Sequence, residues 1–175
     1  ELAGPAAANG YGVVADYPKT HDSTLTCSAW VYAESRPVWA SIVKNWGGKA
    51  RGQFHFGLRH LTGELEVHVK SELGSDHITW DKAIFPLRSW QHVAFVHDTE
   101  NMLLYRNGKL VASLKTPPMR LPVDVKVMSI GTKLNNKLEQ SIQHWPSHWD
   151  GKLDEIAIFN YAMSAEEIEY IYKQV

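Results

Sequence analysis

The chain has 175 residues, enough for one domain whose core needs no disulfide or metal to stabilise it. Its 18 Lys and Arg residues nearly balance its 19 Asp and Glu residues, so the charge does not favour binding to nucleic acid or to an anionic membrane. The single cysteine, Cys27, excludes an internal disulfide, and no apolar run is long enough to predict insertion into a membrane.

Most of the chain is predicted to form short strands, because apolar and polar residues alternate between breaks rich in Gly, Pro, Asn and Asp. Residues 1–11 are rich in small residues and are interpreted as a lead-in to a single domain over residues 12–175. The chain opens at Glu1 without Met, so we expect part of a larger multidomain protein. The strand-like stretches are residues 26–33, 40–46, 53–60, 64–71, 77–80, 91–98, 102–107, 109–114, 126–131 and 152–159.

A first hairpin is predicted where Asn107-Gly108 separates two of these stretches, because this pair readily takes the two positive φ angles of a type I′ turn. A second hairpin is predicted over residues 53–70, with a two-residue loop at Thr62-Gly63. That loop would pair Leu58 with Val67 and Arg59 with Glu66.

The second hairpin is predicted to have an apolar face and a polar face. The polar face is either a solvated surface with an Arg59–Glu66 ion pair, or the lining of a shallow glycan groove, and the sequence favours the first. Its polar side chains are Gln53, His55, Arg59, Glu66, His68 and Lys70.

One short helix is predicted near the C-terminus. Ser164 and Glu167 form the pattern of a capping box, and Ile168 and Ile171 follow at helical spacing. About ten strands and one terminal helix predict an all-β fold, an antiparallel sandwich.

Three stretches carry a family resemblance. They are LTCSAWVYA at 25–33, SWQHVAFVHDTENMLLYRNGKLVAS at 89–113 and WDGKLDEIAIFNYAMSAEEIEYIY at 149–172. In this order they resemble the laminin-G-like family of the concanavalin A-like lectin/glucanase jelly rolls, particularly its bacterial extracellular branch. The resemblance implies a jelly-roll sandwich with Trp30, Trp90 and Trp149 in the core, and we expect Trp80 there too.

The resemblance also implies a range of functions, since members bind sugars, proteins or lipids, or act as spacers. We expect a non-catalytic, lectin-like module of a secreted or cell-envelope protein that binds a glycan. A protein–protein interaction or spacer module is the alternative. A glycan-cleaving enzyme is the third reading, but Glu64-Leu65-Glu66 departs from the acidic motif of glucanases with this fold.

The predicted glycan site is the segment QSIQHWPSH at 140–148, which has no counterpart in the family motifs. Trp145 is the candidate platform for a sugar ring, and Gln143, His144 and His148 are candidates to bind its hydroxyls. Trp46, which precedes Gly47-Gly48, is a further candidate. Alternatively, Trp145 folds back as a lid over the end of the sandwich.

One structural Ca²⁺ is implied by the resemblance, held by a carboxylate and backbone carbonyls. Asp154, in the closing motif, and Asp16, near the first strand, are the candidate ligands. Alternatively, Asp154 caps a turn and Glu155 pairs with a cation. A zinc site at His144 and His148 is not favoured, because Pro146 prevents the helix that would align them.

Overall fold

The protein is a sandwich of two antiparallel β-sheets, as a computed structural model shows for residues 10–17, 19, 22–45, 52–121, 127–139, 141 and 147–174. The elements are Gly12–Ala15 (β1), Thr24–Ala33 (β2), Ser41–Lys44 (β3), Phe54–Leu58 (β4), Glu64–Lys70 (β5), Asp76–Ile84 (β6), Trp90–Asp98 (β7), Asn101–Arg106 (β8), Lys109–Lys115 (β9), Val127–Ile130 (β10), Gly151–Phe159 (β11) and Ala165–Tyr172 (α1).

The six-stranded sheet has the order β1-β10-β3-β4-β5-β6, and the five-stranded sheet has the order β11-β2-β7-β8-β9. The predicted all-β, antiparallel sandwich with a short C-terminal helix is therefore confirmed. The short strand β1, which pairs with β10, was not among the predicted strand-like stretches, and Asp16, which was expected on a first strand, lies just after β1. Within the described residues, no helix has the length and apolar character needed to cross a membrane.

The core lies between the two sheets and takes every second residue of most strands. Phe54 and Phe56 of β4 both contact Phe95 of β7, with ring centroids 5.2 Å apart in each pair. Trp149 is buried as predicted and meets Phe85 edge-to-face, with centroids 6.1 Å apart. These rings fix the distance and the alignment of the two sheets.

The helix α1 packs on the outer face of the five-stranded sheet. Ser164 caps it as predicted, because its side chain accepts a hydrogen bond from the backbone N–H of Glu167, whose carboxylate bonds back to the N–H of Ser164. Ile168 is fully buried against Ala94 and Val96 of β7. The helix therefore covers part of this outer face.

The hairpin at Asn107-Gly108 is confirmed. The two residues have φ angles of 52° and 73°, as a type I′ turn requires, and Arg106 lies directly opposite Lys109.

The predicted register of the second hairpin is wrong by two residues. Leu58 lies opposite Leu65, rather than opposite Val67, and the chain turns through a four-residue loop over residues 60–63. The positive φ angles fall at Leu61 and Gly63, since β-branched Thr62 disfavours the left-handed region. A shift of two residues preserves the facing of every side chain, so the predicted apolar and polar faces are both correct.

Two tryptophans expected in the core lie at the surface instead. Trp80 is 38% exposed and Trp90 is 42% exposed, while Trp30 is partly buried. Trp80 lies opposite Glu66 in register, and Trp90 lies opposite Tyr32, so both project from outward-facing positions of their strands.

We predict that Gly57→Ala destabilises the protein by roughly 3 kcal/mol. A Cβ atom at this position would overlap the carbonyl oxygen of Ala40 and would lie 2.9 Å from Cε1 of His55. Urea denaturation of the variant checks this. Gly12→Ala is the control, since its Cβ would sit at an ordinary 3.4 Å from Cβ of Ile130, and equal stability of both variants would contradict the prediction.

Candidate functional site

A pocket of about 370 Å³ opens on the outer face of the six-stranded sheet. We call it the polar basin. It is lined by Trp39, Lys44, His55, Arg59, His60, Glu66, His68, Ile78 and Lys133.

The floor of the basin is a row of side chains from four neighbouring strands. Lys44 of β3 lies opposite His55 of β4, which lies opposite His68 of β5, and Ile78 of β6 completes the row. Directly opposed residues of an antiparallel sheet project from the same face, so the register brings these four side chains together. Glu66 lies in the next row and is almost completely buried.

One wall of the basin is aromatic. The rings of Trp39 and His60 lie with centroids 4.3 Å apart, at an angle of 42°. Trp39 adopts a φ of 53° in the turn before β3, and His60 lies in the four-residue loop after β4. Trp39 is only partly buried, so part of a flat ring remains accessible beside polar side chains.

Arg59 connects the aromatic and charged parts of the rim. Its guanidinium lies 3.8 Å from the ring centroid of Trp80, and its Nε lies 3.8 Å from Oε2 of Glu66. The predicted proximity of Arg59 and Glu66 is thus confirmed, although it arises diagonally and not from the register expected. This contact holds Arg59 at the edge of the basin.

Burial shifts the pKa values of Lys44 and Glu66 towards neutrality. Burial lowers the pKa of Lys44 to about 7, and repulsion by Lys133 adds to this effect while Glu66 opposes it. Burial also raises the pKa of Glu66 to about 7, against the attraction of Arg59 and Lys44. Both groups therefore change protonation near neutral pH, as titratable groups in functional sites frequently do.

The imidazole of His55 forms part of the buried floor. It is only 2% exposed, and its Nε2 has no hydrogen-bond partner among the described residues. Burial and the nearby Lys44 hold the pKa of His55 well below its usual range, so the ring is neutral. A buried nitrogen without a partner costs free energy that a bound polar group would recover.

Most residues of the predicted loop site cannot be compared with the structure, because Gln143, His144, Trp145 and Trp46 lie outside the described residues. His148 is described, is 5% exposed and lies with Nε2 3.3 Å from Oγ of Ser141. Its role in binding a sugar stays a prediction.

Both ends of that loop are attached beside the basin. The carbonyl of Ser147 accepts a hydrogen bond of 3.0 Å from the backbone N–H of Ser41, two residues after Trp39. Oγ of Ser141 lies 2.6 Å from Oγ1 of Thr132, the residue before Lys133 of the basin.

The predicted calcium ligands lie at separate strands. Asp16 is exposed just after β1, while Asp154 of β11 accepts a 2.9 Å hydrogen bond from the backbone N–H of Glu155. Asp154 lies within β11, beside the register irregularity that follows it, so this bond is made inside a strand and not at a turn. No group of three or more His, Cys, Asp or Glu side chains that could hold a metal occurs within the described ranges, and calcium binding stays a prediction.

A second surface lies on the outer face of the five-stranded sheet, next to α1. We call Trp30, Tyr32, Trp90 and Tyr172 the aromatic patch. Trp30 stacks on Tyr172 with ring centroids 5.8 Å apart, and Tyr32 meets Trp90 edge-to-face at 5.7 Å. A depression of about 390 Å³ here is lined by Trp30, Trp90, Asp154 and Glu155.

The polar face of the basin was predicted from the sequence, but five of its nine described lining residues were not. Trp39, Lys44, His60 and Lys133 come from three turns and a short strand that only the sheet order brings together. Lys44 carried one signal: a lysine at the polar end of the apolar run Ser41–Val43 faces the same side as the histidines.

The sequence pattern of a laminin-G-like family in the concanavalin A-like lectin/glucanases superfamily matches residues 6–169. The chain belongs to this family. The match includes the segments that form both sheets and most of α1, and it confirms the resemblance drawn from the three motifs. No curated protein is similar to this laminin-G-like chain in sequence.

Solved structures share the jelly-roll fold of this laminin-G-like chain. The native heptameric SAP-like pentraxin from Limulus polyphemus has a TM-score of 0.72 at 14% identity, covering 98% of this chain and 79% of its own. The Ruminococcus gnavus IT-sialidase CBM40, bound to α2,3-sialyllactose, has a TM-score of 0.66 at 16% identity, covering 86% and 83%. At such identities the likeness shows the fold alone.

The receptor-binding domain of botulinum neurotoxin D is a further structural neighbour. Its TM-score is 0.66 at 15% identity, and the alignment covers 98% of this chain. The laminin-G-like chain spans only 42% of that domain, so the two differ greatly in extent.

We predict that Glu66→Gln stabilises the protein increasingly as pH rises. The folded-state pKa of Glu66 is raised to about 7 from an ordinary 4.5, so the wild type loses stability as pH rises from about 4.5 to 7, and the variant does not. The gain of the variant over wild type should grow by about 2–3 kcal/mol between pH 4 and pH 8.

Urea denaturation at a series of pH values measures this difference. Glu72→Gln, at an exposed glutamate, is the control and should show no comparable trend. A constant difference between Glu66→Gln and wild type across this range would contradict the shifted pKa.

Proposed function

We propose that this domain is a non-catalytic, lectin-like carbohydrate-binding module and that the polar basin is its sugar site. The observation that carries the proposal is the Trp39–His60 wall beside the buried polar groups of Lys44, His55 and Glu66. A sugar ring has an apolar face suited to an aromatic surface and hydroxyls suited to fixed polar groups. The basin offers both within one pocket of about 370 Å³.

The physical logic of recognition is that of a rigid scaffold. Lys44, His55 and His68 project from adjacent strands of one sheet, so their separations are set by the hydrogen-bonded register. Such a floor loses little conformational entropy when a ligand binds. The aromatic wall would then orient the ring while the floor binds its hydroxyls.

We propose that the predicted loop site extends the basin. Gln143, His144 and Trp145 belong to the loop attached at Ser141 and Ser147. Trp46 follows Lys44 of the floor by two positions. In this proposal Trp145 supplies a second stacking surface, and His148 positions the loop through Ser141.

The calcium prediction becomes part of the proposal as a structural ion held by Asp154 or Asp16. The ion would stabilise the local structure around the residue that holds it. It would not contact the sugar, because neither Asp154 nor Asp16 lines the basin. We further propose that residues 12–175 form one domain of a larger secreted or cell-envelope protein.

The basin supports binding better than catalysis. Glycosidases use two carboxyl groups on either side of the bond that breaks, whereas Glu66 is the one carboxylate among the lining residues that the structure describes. Arg59 lies 3.8 Å from Glu66, so this carboxylate already has a cationic neighbour.

A protein-interaction module is the second candidate, and the aromatic patch favours it. Trp90 is 42% exposed next to Tyr32, and exposed aromatic clusters are frequent in protein–protein interfaces. The patch lies on the sheet opposite the basin, so the two functions do not exclude each other.

We predict that the purified domain binds glycans on an array and that Trp39→Ala weakens this binding at least about tenfold, the order expected for a lost stacking contact. Tyr170→Ala is the matched control, because Tyr170 is an aromatic side chain, 64% exposed on α1, far from the basin in the fold. Circular dichroism and thermal unfolding verify that both variants are folded.

The following outcomes distinguish sugar binding at the basin from the alternative sites and functions. Undiminished binding in folded Trp39→Ala would move the site away from the basin, and the parallel variant Trp145→Ala tests the loop. Loss of binding in chelator would implicate calcium. Release of reducing sugar from a bound glycan would overturn the non-catalytic role, and no glycan binding at all would leave the aromatic patch as the functional surface.

A further inference from the structure

The basin carries an excess of positive charge although the chain as a whole is nearly neutral. Within the described part of the chain, its lining contains three cationic side chains, Lys44, Arg59 and Lys133, against the single carboxylate of Glu66. Glu64 lies two residues from Glu66 on the same strand but outside the lining, and Asp76 pairs with His68 and Lys70 at the edge of β5.

The three cationic side chains of the lining have different surroundings. Arg59 lies against Trp80 and Glu66, whereas Lys44 and Lys133 line the same pocket, and the charge of Lys133 adds to the lowering of the pKa of Lys44. Lys44 is 6% exposed, so its charge is held in a region with little water. An anion that enters this side of the basin would interact favourably with both lysines and would relieve their repulsion.

The adjoining floor provides a donor for the same ligand. His55, opposite Lys44 in register, keeps an unpartnered Nε2 in the described structure. When Nε2 carries the proton, it donates a hydrogen bond to an anionic oxygen, and when Nδ1 carries it, Nε2 accepts one from a sugar hydroxyl. The floor thus suits a group that combines a charge with hydroxyls.

We propose that the polar basin selects acidic sugars and binds their anionic group on the side lined by Lys44 and Lys133. This inference rests on the proposed function and deepens it. The sugar ring lies against Trp39, and the anion, a carboxylate or a sulfate, lies over the Lys44–His55 end of the floor. A neutral sugar would make no use of the excess positive charge of the lining and would bind more weakly.

Binding of an acidic sugar takes up protons. An anion beside Lys44 and Glu66 favours the protonated form of each, and both have pKa values near 7 in the empty basin. Affinity therefore rises as pH falls through neutrality and drops as pH rises, while a uronate or sulfate itself stays ionised. The other charged or titratable side chains that line the basin with Lys44 are Lys133, His55, Arg59, His60, Glu66 and His68.

The test compares acidic glycans with matched neutral ones by isothermal titration calorimetry. The probes are oligogalacturonate and its methyl ester, sialyllactose and lactose, and lactose sulfate, each at pH 6 and pH 8.5. We expect the acidic member of at least one pair to bind about tenfold more tightly, and its affinity to drop about tenfold between pH 6 and pH 8.5.

Two substitutions in the basin should change the binding of the acidic probe in different ways. Lys44→Met should abolish the preference for the acidic probe, while Glu66→Gln should bind that probe at pH 8.5 at least as tightly as the wild type. Lys133→Met should act like Lys44→Met at a position that is less buried. Lys115→Met, at an exposed lysine on β9, is the control for the loss of one positive charge.

The outcomes separate this inference from the proposed function. Equal affinity for acidic and neutral probes, or an acidic preference unchanged in folded Lys44→Met and Lys133→Met, would overturn acidic selectivity and leave sugar binding standing. No binding of any of these probes overturns acidic selectivity, and the wider array then decides whether the basin binds sugars at all.

Discussion

The contact of Phe54 and Phe56 with Phe95 is the constraint on which the rest of the structure depends. Because strand side chains alternate, two phenylalanines that point into the core force His55 between them to point outwards. The same reasoning applies one strand away, where Leu65, Val67 and Val69 face inwards. The position of the polar basin is thus fixed by apolar packing on the opposite side of one sheet.

The basin departs from the usual pattern, in which charged side chains remain exposed to water. Lys44 and Glu66 are both almost completely buried, and burial shifts the pKa of each towards 7. The protein tolerates this cost because the hydrophobic contacts between the sheets stabilise it elsewhere. Local instability concentrated at polar groups in a pocket is typical of binding sites, where a ligand supplies the missing interactions.

The sequence was sufficient to predict the fold, because its signals are local. The Asn107-Gly108 turn, the Ser164 cap and the strand periodicity each depend on neighbouring residues alone. The register of the second hairpin was missed because it depends on the conformation of a loop, where Leu61 and not Thr62 takes a positive φ. The polar face was still assigned correctly, because a register shift of two residues leaves each side chain on the same face of the sheet.

The site was only partly predictable, since its residues come together through sheet order. His55 and Glu66 were assigned to one face from periodicity, but no local pattern brings Trp39 to His60 or Lys133 to Lys44. Trp80 and Trp90 illustrate the opposite failure, since an aromatic residue in a strand looks like core until its register is known. The loop prediction centred on Trp145 rests on composition and still awaits experiment.

The hairpin between β4 and β5 has a consequence for how such modules diversify. Its loop carries His60, which forms the aromatic wall of the basin together with Trp39. The side chains of the two strands that the loop joins stay on the same faces of the sheet even when the register shifts by two residues. Insertions or deletions confined to this loop can therefore reshape the rim without disturbing either the phenylalanine core or the charged floor. Ligand preference and fold stability are in this way separable during evolution, because they depend on opposite sides of the same two strands.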